Sequence, residues 1–197
     1  MNICVVRHGE TDWNSQGKWQ GREDIPLNVK GVYQAGKCGL ALQKRTWSAV
    51  FSSPLSRAKQ TADIIARLNK ISRVREEHGL IERDYGKASG LTPAERRILF
   101  PDGKYDKAEG VEDWESVRDR MYNAVLNCAQ ESDGGDIIIV SHGGVINSML
   151  AYLSNHEIGS GKTILKNGCL NMLEYTDGVL RIVFYNKSAD EIDLSID

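Results

Sequence analysis

The sequence has no C-x-x-C pair, no strong charge of either sign and no long apolar run. Its cysteines are scattered along the chain, at Cys4, Cys38, Cys128 and Cys169. That spacing argues against a zinc knuckle and against the disulfide framework of a small secreted protein. The formal net charge is -2, so no general attraction to nucleic acid or acidic lipid is expected. No apolar run approaches the roughly 20 residues of a membrane-spanning helix, and we expect a cytoplasmic protein with reduced thiols.

The composition is that of an ordinary globular protein. Hydrophobic residues make up 41% and charged residues 26% of the chain, which excludes a disordered, collagen-like or disulfide-rich class. A length of 197 residues suits one domain with a full core. We therefore expect a single domain over residues 1–197.

The apolar pattern alternates between strands and amphipathic helices. Strands are predicted at 2–6, 48–51, 73–77 and 136–140, followed by a hairpin of 169–175 and 179–185. Helices are predicted at about 28–45, 54–68, 92–100, 114–128 and 145–153. This order favours a three-layer αβα sandwich with a mostly parallel central sheet and an antiparallel edge from the hairpin. The acidic tail from 186 to 197 is expected at the surface.

One region has no clear pattern. Residues 83–114 are irregular apart from the short helix, and 101–110 are rich in charge and glycine. We expect this region to act as a lid or specificity segment. Within it, Lys104, Tyr105 and Lys107 could bind a second anionic group of a substrate, but solvated side chains are the favoured interpretation.

Two histidines, His8 and His142, each follow an aliphatic run and precede a glycine. Because ligands of open α/β sheets bind at the carboxyl ends of the strands, we expect both at one site. Arg7 adjoins the first histidine, and Arg57 lies in the first turn of the helix after the second strand. Two guanidinium groups and two imidazoles suit a tetrahedral dianion such as phosphate. The other histidines, His78 and His156, are expected to be surface residues or hydrogen-bonded core residues without a catalytic function.

Phosphoryl transfer also needs a proton for the leaving alkoxide, which a carboxyl group can supply. Glu82 is the candidate, and residue types alone leave Glu10, Glu77 and Asp84 as rivals. The sequence has no metal-binding motif, so we expect a side chain as the nucleophile and no metal or other cofactor.

Four motifs resemble, in order, those of the histidine phosphatase (phosphoglycerate mutase-like) superfamily. They are Arg7-His8-Gly9-Glu10-Thr11 with Trp13-Asn14, Ser53-Pro54-Leu55-Ser56-Arg57-Ala58 with Gln60-Thr61-Ala62, Glu82-Arg83-Asp84-Tyr85-Gly86, and Ser141-His142-Gly143. A lone R-H-G would be a weak signal, whereas four ordered motifs between residue 3 and about 185 are specific. The resemblance implies a phosphoglycerate mutase-like fold.

The resemblance also implies a role for each matching residue. His8 would be the nucleophile that becomes a phosphohistidine, while Arg7, Arg57 and His142 would bind the equatorial phosphoryl oxygens. Glu82 would donate a proton to the leaving group and later activate the hydrolytic water. The other implied substrate- and phosphate-binding residues are Asn14, Gln20, Gly21, Tyr85 and Gly143.

The superfamily contains phosphatases and mutases, and the sequence departs from the mutase pattern. The segment 92–95 replaces one that holds a substrate-binding lysine in mutases, and Gly144 replaces an asparagine. The insertion with adjacent arginines is shortened, and Arg96 and Arg97 come too early to fill its place. We therefore expect a phosphomonoester hydrolase acting on a small phosphorylated metabolite. A cofactor-dependent phosphoglycerate mutase is the alternative, and an inactive phosphate-binding regulatory domain is a weaker one.

The sequence leaves three properties open. They are the identity of the phosphomonoester, the conformation of the lid and the choice between monomer and homodimer.

Overall fold

The computed structural model describes residues 1–194 and consists of a central sheet with helices on both sides. The strands are β1 (Asn2–Arg7), β2 (Ala49–Ser52), β3 (Val74–Glu76), β4 (Ile137–Ser141), β5 (Leu170–Thr176) and β6 (Val179–Lys187). The helices are α1 (Asp12–Ser15), α2 (Val29–Leu42), α3 (Ser56–Leu68), α4 (Pro93–Leu99), α5 (Trp114–Gln130) and α6 (Gly143–Leu153). The last three residues of the predicted acidic tail lie outside the described residues.

The sheet has six strands in the order β3-β2-β4-β1-β5-β6. The first four strands in this order run parallel, and β5 and β6 add an antiparallel edge. Strand β1, which ends one residue before His8, is therefore central, between β4 on one side and β5 on the other. The prediction of a mostly parallel sheet with an antiparallel hairpin edge is confirmed.

Both faces of the sheet are covered, which explains why residues 3–6 of β1 and 137–140 of β4 are all apolar. Ile3 and Val5 of β1 pack with Met121 of α5 on one face. Cys4 and Val6 pack with side chains of α2 and α3 on the opposite face. Successive strand residues point to opposite faces, so a strand buried on both sides has no polar positions. The three-layer αβα prediction is confirmed.

Several predicted helix boundaries differ from the structure. Helix α6 begins at Gly143, two residues before the predicted start, and α5 ends at Gln130, two residues after the predicted end. Helix α3 begins at Ser56, two residues after the position predicted from Pro54, and it has no side-chain cap. Ser53 instead accepts a hydrogen bond from the Leu55 amide (3.3 Å), so the serine stabilises the turn before the helix. Helix α2 begins after its predicted cap Asn28 but ends at Leu42, three residues earlier than expected.

The short helix α1 was not predicted. Thr11 caps it by accepting a hydrogen bond from the Asn14 amide, and the Asn14 side chain accepts one from the Thr11 amide. This reciprocal arrangement is a capping box in which asparagine replaces the usual glutamate. The helix turns the chain immediately after His8 and fixes the position of Asn14.

Arg83 anchors the irregular region 83–114 to the domain. Its guanidinium group is buried, donates to Asp106 (2.7 Å) and to the Glu112 carbonyl (2.8 Å), and covers the Trp114 ring at 3.8 Å. Tyr105 reaches the rest of the domain by an edge contact with Trp19, 4.7 Å between ring centroids. Lys104 pairs with Asp102 at the surface, which agrees with the solvated interpretation.

All four cysteines are free and buried. In the part of the chain that the structure describes, no helix is long and apolar enough to cross a membrane.

Candidate active site

The residues predicted from the strand ends meet at one edge of the sheet. Arg7 and Ser141 are opposite each other in the pairing of β1 with β4, so the residues that follow them, His8 and His142, are neighbours. Their ring centroids are 5.1 Å apart. Both side chains are buried. The parallel pairing of two strands far apart in sequence therefore assembles the site.

The contacts of His8 define its protonation state. Its Nδ1 lies 2.7 Å from the carbonyl oxygen of Gly9, and because a carbonyl only accepts, Nδ1 must carry the proton. Burial, together with the nearby Arg57 and Arg7, lowers the pKa of His8 well below its usual range. The ring is therefore neutral at pH 7, and Nε2 holds a free lone pair.

Two guanidinium groups lie next to this imidazole, that of the buried Arg57 and that of the partly buried Arg7. Arg57 donates to the carbonyl oxygens of Glu23 (2.7 Å) and Gly21 (2.8 Å), and burial lowers its pKa to about 10. Arg7 donates through one terminal nitrogen to the Leu165 carbonyl, while its Nε is buried without a partner. Burial also lowers the pKa of Arg7, but both groups remain cations at neutral pH.

His142 is hydrogen-bonded through both of its ring nitrogens. Its Nδ1 accepts a hydrogen bond from Arg57 Nε (3.2 Å), and its Nε2 lies 2.7 Å from the Ser53 hydroxyl. Both ring nitrogens are therefore occupied by protein groups. Burial and Arg57 lower the pKa of His142 well below its usual range, so the ring is neutral. In this structure the imidazole orients Arg57, and the direct phosphate contact implied for His142 stays a prediction.

Asn14 and Gln20 have their side-chain amides oriented by the same loop. The Asn14 Oδ1 accepts from the Thr11 amide (3.2 Å) and from Asn167 Nδ2 (3.1 Å). The Gln20 Oε1 accepts from the Thr11 hydroxyl (2.9 Å). Since both carbonyl oxygens are occupied, each residue has its NH₂ group left to donate to a ligand.

Glu82 is the carboxyl group of the site. One of its oxygens accepts from the amides of Arg83 (2.8 Å) and Val145 (3.1 Å), and the other from the Gly144 amide (3.1 Å). The carboxylate thus lies against the first turn of α6, where a helix favours negative charge. Burial raises the pKa of the neighbouring Tyr85, which stays a neutral phenol.

The rival carboxylates have other functions in the fold. Glu10 pairs with Lys30 (2.7 Å), Glu77 caps a turn by accepting from the Gly79 amide (2.8 Å), and Asp84 accepts from the Gly86 amide (2.8 Å). None of the three lines the cavity beside His8. The structure therefore distinguishes Glu82, which lines the cavity, from the three carboxylates that residue types alone left as alternatives. His78 and His156 are exposed, as expected.

A cavity of about 540 Å³ opens beside His8. Every predicted site residue except His142 lines it: Arg7, His8, Asn14, Gln20, Gly21, Arg57, Glu82, Tyr85 and Gly143. The sequence reasoning missed Lys18, Trp19, Gly144, Asn147 and the segment 160–165, which also line it. Trp19 and Gly144 had a signal, as direct neighbours of the predicted Gln20 and Gly143. The predicted specificity region contributes Tyr85 and Trp114.

Trp19 forms a rigid part of this wall. Its ring stacks on Tyr85 with centroids 4.8 Å apart, and the Arg96 guanidinium lies 4.1 Å from its centroid. Arg96 also donates to the Leu91 carbonyl (2.6 Å). These contacts join the helix α4 to the cavity and keep Arg96 itself out of the lining.

No group of three or more His, Cys, Asp or Glu side chains within residues 1–194 is arranged to hold a metal ion. The local positive charge comes from side chains instead, and the lining contains four cations but only one carboxylate. Such a cavity attracts an anion of small size.

Comparison with known proteins agrees with this geometry. The model of the histidine phosphatase superfamily (branch 1) matches residues 3–188. The chain is 38% identical to PhoE of Bacillus subtilis (strain 168), described as an uncharacterized phosphatase, over 93% of each chain. It is 29% identical to GpmB of Salmonella choleraesuis (strain SC-B67), described as a probable phosphoglycerate mutase, over 90% of this chain and 86% of that one.

A solved structure has the same architecture. The mycobacterial glucosyl-3-phosphoglycerate phosphatase, complexed with VO3, superposes with a TM-score of 0.84 at 25% sequence identity. The match covers 95% of this chain and 99% of that one. The family and the fold therefore agree over almost the whole molecule.

Proposed function

The chain belongs to the histidine phosphatase superfamily, and we propose that it hydrolyses phosphomonoesters of small metabolites through a phosphohistidine on His8. One observation carries the proposal. The hydrogen bond from His8 Nδ1 to the Gly9 carbonyl leaves an unprotonated Nε2 in a cavity lined by cationic and amide donors. A neutral imidazole held in this tautomer is a ready nucleophile for phosphorus.

In the first step, His8 Nε2 attacks phosphorus and the bond from phosphorus to the ester oxygen breaks. Arg7, Arg57 and Asn14 stabilise the negative charge on the equatorial oxygens as it redistributes. The unpartnered Nε of Arg7 is a donor that a phosphoryl oxygen would satisfy. The products of this step are a phosphohistidine and an alcohol.

Glu82 supplies the proton that the leaving oxygen needs. A phosphoryl dianion beside Glu82 puts two negative groups together, and a proton bound between them relieves their repulsion. Once the alcohol has left, the Glu82 carboxylate accepts a proton from water, whose oxygen attacks the phosphohistidine. Inorganic phosphate forms, His8 Nε2 recovers its lone pair, and Glu82 is protonated again.

His142 acts in this scheme through Arg57 and is a positioning residue. Its Nδ1 accepts from Arg57 Nε, which fixes the plane of that guanidinium group. Bidentate binding of phosphate depends on this plane, so the orientation of the Arg57 guanidinium group affects phosphate binding as well as its charge.

The distribution of cations favours hydrolysis over mutase chemistry. A mutase must retain a bisphosphate while it reorients, which requires cations for a second phosphoryl group. Apart from Arg7 and Arg57, the lining within residues 1–194 offers only Lys18 and Lys162. Arg96 stacks on Trp19 instead. The cofactor-dependent phosphoglycerate mutase remains the second candidate, because a relative carries that description.

We further propose that the reaction needs no metal or other cofactor, since the arginines supply the positive charge. The substrate is a small phosphorylated metabolite, and neither nucleic acid nor a membrane is a partner. The four buried free thiols fit a reducing compartment such as the cytoplasm.

Assays of the purified protein test this function directly. We expect release of phosphate from p-nitrophenyl phosphate, unchanged by a chelator, and no isomerisation of 3-phosphoglycerate when 2,3-bisphosphoglycerate is supplied. Chelator inhibition reversed by metal would contradict the metal-independent mechanism. Isomerisation faster than hydrolysis would establish the mutase, and phosphate binding without turnover would identify a regulatory domain.

Gly144 provides a second test, because it leaves space for the acid. A Cβ on residue 144 would lie 2.7 Å from Glu82 Oε1 and 2.8 Å from the Tyr85 hydroxyl. We expect Gly144→Ala to displace the carboxylate and lower kcat about 10²-fold, as small misplacements of catalytic groups do. Helix propensity should not oppose the change, since alanine is favoured over glycine by about 1 kcal/mol.

The matched control is Gly36→Ala in helix α2, where an added Cβ meets no atom within 4 Å. Steady-state kinetics and Tm of both variants are compared with those of the parent. Equal kcat values in the two variants would show that the space beside Glu82 has no catalytic importance.

A further inference from the structure

Three buried side-chain atoms of residues 1–194 lack a hydrogen-bond partner, and all three belong to residues that line the cavity beside His8. They are Arg7 Nε, Asn147 Oδ1 and Ser160 Oγ. Buried polar groups are almost always paired in folded proteins, so unpaired groups collected in one wall indicate a place for a ligand. Arg7 belongs to the phosphoryl site, but the other two have no function in the mechanism above.

The orientation of Asn147 is determined by its other contacts. Its side-chain Nδ2 donates to the Thr163 carbonyl (2.9 Å). Its backbone carbonyl accepts from the Ser160 amide (3.2 Å). Exchanging the amide oxygen and nitrogen would set two oxygens against each other, so Oδ1 is the free acceptor. Ser160 lies in the loop that follows α6, where its amide contacts the Asn147 backbone, and its Oγ can both donate and accept.

The position of this pair relative to the phosphoryl site limits the size of the ligand. Asn147 lies four residues after Gly143 on α6, about 6 Å further along the helix axis at 1.5 Å per residue. A short carbon skeleton attached to the phosphoryl group at Gly143 would reach it. The turn 159–163 can adjust to this skeleton, because Gly161 is exposed and an added Cβ there meets no atom within 4 Å.

We propose that Asn147 and Ser160 form a subsite for a hydroxyl group on the substrate skeleton, which makes hydroxylated alkyl phosphates the preferred substrate class. This inference rests on the proposed phosphatase function. A hydroxyl matches the pair because it donates to Asn147 Oδ1 while it accepts from Ser160. An ammonium group also donates, but Lys18, Lys162 and the two arginines make the cavity unfavourable for a cation.

The aromatic rings that line the cavity fit a hydroxylated substrate, because they are already in contact with other protein groups. One face of Trp19 stacks on Tyr85 and the Arg96 guanidinium covers the ring, while Tyr105 contacts its edge. The Trp114 ring is covered by Arg83. These rings stabilise the cavity wall, and the unpaired atoms of Asn147 and Ser160 distinguish between substrates.

The test compares glycerol 3-phosphate with propyl phosphate, which lacks the hydroxyls, and with ethanolamine phosphate. We expect kcat/KM of the parent to be about 10-fold higher for glycerol 3-phosphate than for either analogue, the effect of about one good hydrogen bond. Ser160→Ala should lower the ratio of glycerol 3-phosphate to propyl phosphate about 3- to 10-fold. Because this ratio in each variant is compared with the same ratio in the parent, the effect of the different leaving groups on kcat/KM cancels.

Asn147→Ala should lower the same ratio, and Ser154→Ala is the structural control. Ser154 Oγ accepts from the Ile158 amide (3.2 Å) just before the turn and does not line the cavity, so its loss should leave the ratio unchanged. An unchanged ratio in Ser160→Ala and Asn147→Ala, or an equal fall in Ser154→Ala, would overturn the subsite. A preference for ethanolamine phosphate would overturn the choice of a hydroxyl. Failure to hydrolyse even p-nitrophenyl phosphate would instead overturn the proposed function.

Discussion

Replacing His8 by alanine is expected to abolish both the phosphorylated enzyme and turnover. The variant has no Nε2 to attack phosphorus, and the remaining cavity can only bind and polarise the ester. We expect kcat for p-nitrophenyl phosphate to fall roughly 10³-fold or more, the loss typical of removing a nucleophile. Acid-labile, base-stable labelling of the parent by a phosphate donor, absent in His8→Ala, would identify the phosphohistidine.

Folding of the variant is checked independently of activity. Arg7, Arg57 and Asn14 remain in His8→Ala, so inorganic phosphate should still raise its Tm. His78→Ala is the matched control, because His78 is exposed and lies outside the cavity. A His8→Ala protein that retains the parent's turnover would exclude His8 as the nucleophile.

Glu82→Gln is expected to slow substrates in proportion to their need for a proton. Alkyl phosphates release an unstable alkoxide, so we expect a loss of about 10²-fold or more in kcat/KM. Nitrophenolate leaves without protonation, and p-nitrophenyl phosphate should lose less than about 10-fold in the step that releases it. Single-turnover measurements of alcohol release isolate this step from the later hydrolysis of the phosphohistidine.

The structure also indicates how Glu82→Gln could act through geometry alone. Both Glu82 oxygens accept backbone hydrogen bonds, and a glutamine NH₂ group would leave one of these amides without an acceptor. Such a displacement would slow alkyl and aryl phosphates equally. Equal losses for both classes would therefore exclude the proton-donor function, and Glu77→Gln, outside the cavity, controls for the change of charge.

The sequence predicted the parts of the fold that depend on local pattern. Aliphatic runs identified β1 and β4 because both faces of these strands are buried. Asn28 and Thr92 identified the starts of α2 and α4 because capping is a contact between neighbours in the chain. The start of α3 was misplaced, since Pro54 and Ser53 form the turn that precedes the helix.

The site was predicted as a set of residues but not as an arrangement. Arg7, His8 and Arg57 were expected at one site because each lies at a strand end or in the helix turn after one, and all three line the same cavity. The engagement of His142 by Arg57 and Ser53 depends on side-chain orientation, which no spacing encodes. The segment 160–165 enters the cavity through tertiary contacts with Asn147, so its sequence carried no signal.

The central position of β1 has a consequence for biosynthesis. This strand leaves the ribosome before the other strands of the sheet, and both its neighbours, β4 and β5, lie more than a hundred residues further along the chain. Contacts of such sequence separation form late, because a long loop must close before they contribute stability. A nascent chain therefore carries His8 without the strands that bury it, and the candidate active site is complete only after β4 and β5 have emerged.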